Sequence, residues 1–135
     1  MKHHVLYLIL SLCLLLAGCS KGNVSNVQFL LCESAQYTQT EIQDAMDVAV
    51  SHFKKEFEGC SLLTIEYSET KTSSAGAAWA AQYGAEEGII LLSSFDVDEN
   101  GGDGGFNPNS TYTNWQWILT RSEGGKWELQ TWGYG

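Results

Sequence analysis

Residues 37–59 carry every signal of an amphipathic helix, and a helix that long has to be covered along one side. Thr38-Gln39-Thr40-Glu41 has the spacing of a capping box, with Tyr37 and Ile42 placed as the hydrophobic staple. Ile42, Met46, Ala49, Phe53 and Phe57 then recur on one stripe at helical spacing. Glu41 and Asp44 near the start and Lys54 and Lys55 near the end suit the helix dipole. Gly59 stops it. The spacing predicts a helix over about 39–57.

Shorter elements follow. Ser61 to Tyr67 alternates as a strand, with Leu63, Ile65 and Tyr67 on one face. Ala75 to Tyr83 reads as a short helix closed by Gly84, and Gly88 to Phe95 as a second strand. Tyr112 to Arg121 and Lys126 to Trp132 make two more, joined through Ser122-Glu123-Gly124-Gly125 as a hairpin. Val27 to Cys32 is apolar enough for a strand or for a segment packed under the fold. The expected class is α+β: the long helix packed on a curved antiparallel sheet of about four strands, with helices on one side and a short second helix.

The amino terminus reads as a signal sequence. Lys2, His3 and His4 precede an apolar run from Val5 to Leu16. Twelve helical residues cover about 18 Å, short of the roughly 30 Å a spanning helix must cross. Leu16-Ala17-Gly18-Cys19 resembles the lipobox of bacterial lipoproteins, in which a diacylglycerol is placed on the cysteine before cleavage. The expected organisation is a signal peptide over 1–18, a lipidated Cys19 and tether over 19–36, and one domain over 37–135. The expected place is extracytoplasmic, on the membrane through that lipid.

Removing the signal takes Lys2, leaving six Lys and Arg against sixteen Asp and Glu, a formal charge of −10. Nucleic acid and anionic lipid both need clustered cations, so that balance argues against them as partners. The signal also takes two of the three histidines. One His, His52, cannot supply a histidine-based zinc site, and Cys32 and Cys60 alone cannot make a four-cysteine one. No cofactor is expected.

Cys32 and Cys60 are the thiols left beside the anchor. An exported protein makes a disulfide between them reasonable. The helix between them is roughly 28 Å long, so the bridge requires Cys32 to double back along it. A bridge and two separate thiols both stand.

Three stretches are candidates for a site. Asp96, Asp98 and Asn100 followed by Gly101 match the first half of a calcium loop. The second half departs, with Asn107 where the bidentate glutamate belongs, and a solvated hairpin loop shaped by Asn107-Pro108-Asn109-Ser110 reads the same way. Trp115 and Trp117 share a strand face with Leu119, and Trp79 and Tyr83 stand four apart on the short helix. These four aromatics are either core or the lining of a ligand pocket. His52 sits at the border of the helix stripe, within reach of Asp47 or Glu56 for acid–base work, but no motif places a nucleophile beside it.

The second half of the chain, from Trp79 onward, resembles an uncharacterised domain family of bacterial lipoproteins. The likeness rests on Gln82-Tyr83-Gly84-Ala85, on Gly101-Gly102-Asp103-Gly104, on the run from Asn107 to Trp115, and on Trp132-Gly133-Tyr134; Gly59-Cys60 fits as well. That family looks like the nuclear-transport-factor-2-like, or cystatin-like, superfamily. The resemblance implies a cone in which a long helix packs into a curved antiparallel sheet, and it implies no activity. Together these features point to a membrane-anchored lipoprotein that binds an extracytoplasmic ligand or protein. A small enzyme working in the cavity between helix and sheet, and a calcium-dependent surface protein, are the alternatives.

Overall fold

The computed structural model describes residues 21–134, so the signal sequence and Cys19 lie outside the described residues. The elements run β1 (Gln28–Leu30), α1 (Gln39–Glu56), β2 (Cys60–Tyr67), α2 (Glu69–Gln82), β3 (Glu87–Val97), β4 (Thr111–Arg121) and β5 (Glu128–Gly133). No helix among the described residues is long and apolar enough to cross a membrane.

α1 forms as its sequence requires. The Thr38 hydroxyl accepts from the Glu41 N–H at 3.2 Å, and the Glu41 carboxylate accepts from the Thr38 N–H at 3.0 Å, closing the capping box. Ile42, Ala45, Met46, Ala49 and Phe53 are fully buried. Each of the large ones contributes about 1.5–3 kcal/mol. Gly59, at φ +73°, turns the chain into β2.

The five strands form one open sheet in the order β1-β2-β3-β4-β5. It is mixed, which corrects the expected antiparallel sheet of four. The three pairings from β2 to β5 are antiparallel, but β1 lies parallel to β2, with Phe29 opposite Ile65. β1 comes from the segment read as a tether. Its approach is bonded in too: the Gly22 N–H donates to Lys54 O, the Asn23 N–H to Cys60 O, and the Leu62 N–H to Asn23 O, all within 3.0 Å. From Gly22 onward the chain is built into the domain.

A bulge between Leu62 and Thr64 changes the register of β2. It puts Leu62, rather than Leu63, on the buried face with Ile65 and Tyr67. That face, with Leu91 and Phe95 of β3 and Trp117 and Leu119 of β4, packs under α1 as the main core.

The two helices cover opposite faces of the sheet, a second correction. α2 begins at Glu69, six residues before the expected start, because the Ser68 hydroxyl caps it by accepting from the Lys71 N–H. Strand alternation turns Gly88 and Ile90 away from Leu91 and the α1 core. There the Ile90 N–H donates to the Thr72 hydroxyl at 3.0 Å, and Gly76 of α2 rests on Gly88.

Candidate functional site

The site is assembled where the end of α1, the loop after β3 and the edge strand β5 meet. The loop is shaped by its own residues. Asp98 Oδ1 accepts from the N–H groups of Asn100 and Gly102, at 3.0 and 2.9 Å, and the Asp98 N–H donates to Gly59 O. Gly101 and Gly102, at φ +71° and +67°, carry the turns that this requires. Phe106 then drops from the loop onto the core, its ring 5.8 Å from Phe57 and 5.4 Å from Phe95. The glycine-rich stretch is therefore a packed flap over the end of the main core.

Between this flap and β5 lies a cleft of about 390 Å³, lined by His52, Glu56, Phe57, Asp103, Phe106 and Trp132. Trp132 sits on the outermost strand opposite Trp117 and stays 43% exposed, so much of the indole is presented to solvent. Its ring centroid lies 4.3 Å from that of His52. Aromatic walls with two carboxylates at the mouth combine an apolar contact area with charge.

His52 lies in an aromatic cluster. Besides Trp132 it lies 6.2 Å from both Phe57 and Trp117. Its Nε2 is enclosed and has no hydrogen-bond partner. Burial holds its pKa below the ordinary imidazole value; Glu56 works against this and Lys55 with it. The ring is thus neutral at neutral pH. On its other side it also walls a second, more open cleft of about 440 Å³ that includes Asp47 and Lys55.

The four aromatics proposed as one pocket are not brought together. Trp117 is fully buried, its indole Nε1 donating to Ser93 Oγ at 2.9 Å. Trp115 packs among Phe57, Phe95, Phe106 and Tyr112, with its Nε1 buried and unpartnered. Trp79 and Tyr83 stack on each other at 6.3 Å on α2, across the sheet. One pair belongs to the core and the other to the reverse face.

The other candidates also separate. Asp96 accepts from the Thr111 hydroxyl on β4, Asp98 is taken up by backbone N–H groups, and Asn100 is exposed at the turn. Among the described residues no three His, Cys, Asp or Glu side chains gather where a metal ion could be held. The calcium loop therefore lacks a converging ligand set. Cys32 is an exposed free thiol and Cys60 a buried one. β1 pairs Leu30 with Glu66, which sets Cys32 beyond one end of β2 and Cys60 at the other. At about 3.3 Å per residue they lie roughly 25 Å apart, far beyond the ~7 Å that a disulfide spans. The bridge that the sequence left open does not form. Burial, with Asp98 and Asp103 nearby, pushes the Cys60 thiol up to about 11.

Sequence placed Asp103 in the glycine-rich run and Trp132 at the end of the last strand, but their meeting with Phe106 and His52 depends on a loop and a strand far from α1 in the chain. Comparison of the chain with protein-family models, with curated protein sequences and with solved structures finds no match.

Proposed function

We propose that this chain is an extracytoplasmic lipoprotein, anchored by lipid on Cys19, whose domain binds a small ligand in the cleft between α1, the flap and β5. The observation that carries the binding reading is the half-exposed Trp132, its ring tilted against a neutral His52 beside Glu56 and Asp103. The anchor reading rests on the lipobox-like Leu16-Ala17-Gly18-Cys19 after an apolar run too short to span. Its resemblance to bacterial lipoprotein domains of the cystatin-like superfamily supports the same reading, and a long helix lying on a sheet agrees with it. Two residues, Ser20 and Lys21, separate Cys19 from Gly22, a reach of about 10 Å, so the domain would be held at the membrane surface.

Small-enzyme chemistry has less support in this cleft. Its titratable lining is His52, Glu56 and Asp103, with no Ser, Thr or Cys among the lining residues. The His52 Nε2 is enclosed, so it is poorly placed to take a proton from a substrate in the open part of the cleft.

Two measurements test the reading. Cys19→Ser should abolish incorporation of labelled palmitate and leave an uncut precursor; normal processing and anchoring in that variant sinks the lipoprotein reading. Screening the protein against envelope glycans, lipids and peptides should give hits that Trp132→Ala loses. Binding that survives Trp132→Ala moves the site elsewhere.

A further inference from the structure

We propose that the cleft is specific for an organic cation, a small ammonium group carried on an apolar body. The inference rests on the binding reading above and names the ligand class of the same site. Glu56 and Asp103 flank the cleft, and no Lys or Arg lines it. Lys55, the nearest cation on α1, faces the neighbouring cleft with Asp47. An anion would therefore meet two carboxylates with nothing to compensate them, in a protein that is already strongly acidic.

The remaining walls decide between kinds of cation. Trp132, Phe57 and Phe106 line the cleft with aromatic rings, and an ammonium held within about 6 Å of a ring face is attracted by its quadrupole. A hard metal dication needs several oxygen ligands, and no group of three acidic, His or Cys side chains gathers among the described residues. A weakly hydrated alkylammonium needs no such shell. A cleft of about 390 Å³ is also far larger than one ion, since a water molecule takes roughly 30 Å³. There is room for the methylated or alkyl part of the ligand against the aromatic rings.

His52 sets the pH range. Glu56 and Lys55 on its own helix, Asp103 from the flap, and Trp132, Trp117 and Phe57 around its ring are the groups near it. While neutral it adds an apolar wall. Protonated, it would place a positive charge beside the bound ammonium and weaken it.

The test uses the full-length protein in a non-ionic detergent at constant ionic strength, titrated calorimetrically with choline and with its neutral isostere 3,3-dimethylbutan-1-ol. Choline should bind at least about ten-fold tighter than the alcohol. The double variant Glu56→Gln, Asp103→Asn should lose most of that preference. Acidification from pH 7.5 to 5 should weaken choline in the wild type but much less in His52→Gln. Equal affinity for the two probes, with both lost in Trp132→Ala, would overturn the cation inference and leave the cleft as a binding site. No binding of choline up to 50 mM, with the fold intact by circular dichroism, overturns the cation inference as well. In that case the envelope screen with Trp132→Ala decides separately whether the cleft binds anything.

Discussion

Gly76 of α2 and Gly88 of β3 face each other across the back of the sheet so closely that a Cβ on either would overlap the carbonyl oxygen of the other. The contact sets how near α2 lies to the sheet, and it involves backbone on both sides. Gly88→Ala should therefore lower stability by about 1–3 kcal/mol, since a backbone carbonyl cannot swing aside as a side chain would. Gly76→Ala should also destabilise, although the same change on an exposed helix face would stabilise by up to about 1 kcal/mol. Urea denaturation of the two variants checks the sign. A stabilising Gly76→Ala would mean that α2 does not sit against β3.

That glycine pair explains much of what the sequence concealed. α1 was legible almost to the residue because its capping box, stripe and end signals agree with one another. α2 shows no such stripe: Thr72, Gly76 and Ala80 make its buried face, and small residues surround them on every side. Its true start is set by Ser68, a cap seven residues before the alanine run at Ala75. β1 is only three residues long and owes its place to pairing with β2, a relation between distant segments. The cleft was hidden for the same reason. His52 was visible as a border residue of α1, but its contact with Trp132 follows from how far β5 runs along β4.

Ser93 and Trp117 form a side-chain hydrogen bond across the buried face of the sheet, at 2.9 Å. Both residues lie under α1, beyond the reach of water. Ser93→Ala would leave the indole N–H unpartnered in that environment, at a cost of about 1–3 kcal/mol. Ser93→Thr keeps the donor's partner and should cost less, provided that the added methyl is accommodated. Thermal melts of the two variants separate these outcomes, and an Ala variant as stable as the wild type would show that the bond contributes little.

At the other end of the main core, Arg121 ties α1 to the sheet. It pairs with Glu41 and with Glu87, the latter at 2.9 Å, and its guanidinium lies 4.3 Å from the Trp127 ring centroid and 5.6 Å from that of Tyr37. The Thr38 N–H and then Arg121 hold the Glu41 carboxyl below its ordinary value near 4.5. A depressed carboxylate contributes stability that is present above its unfolded-state pKa and is lost as pH falls through the folded one. Glu41→Gln should therefore cost about 1 kcal/mol at pH 7, the pair being partly solvated. The difference from wild type should be smaller at pH 3 than at pH 7, as the carboxylate takes up a proton. Urea midpoints at both pH values decide it, and a cost that persists unchanged at pH 3 would assign the effect to the capping geometry instead of the charge.

Gly22 marks where the chain joins the domain, and there is no room for a side chain. A Cβ at this position would overlap the Phe53 carbonyl oxygen and press on the Phe53 ring. The displaced strand segment has an alternative to straining α1, because it can come away by itself. Gly22→Ala should then leave global stability nearly intact while opening the junction locally. The clearest reporters are the Asn23 N–H, which donates to Cys60 O, and the Leu62 N–H, which donates to Asn23 O. Their hydrogen exchange should accelerate by about ten-fold or more, corresponding to roughly 1.4 kcal/mol of lost protection. The Phe57 N–H, bonded to Phe53 O in the last turn of α1, should keep its rate. If Asn23 and Leu62 exchange no faster in the variant, the junction is not clamped at Gly22.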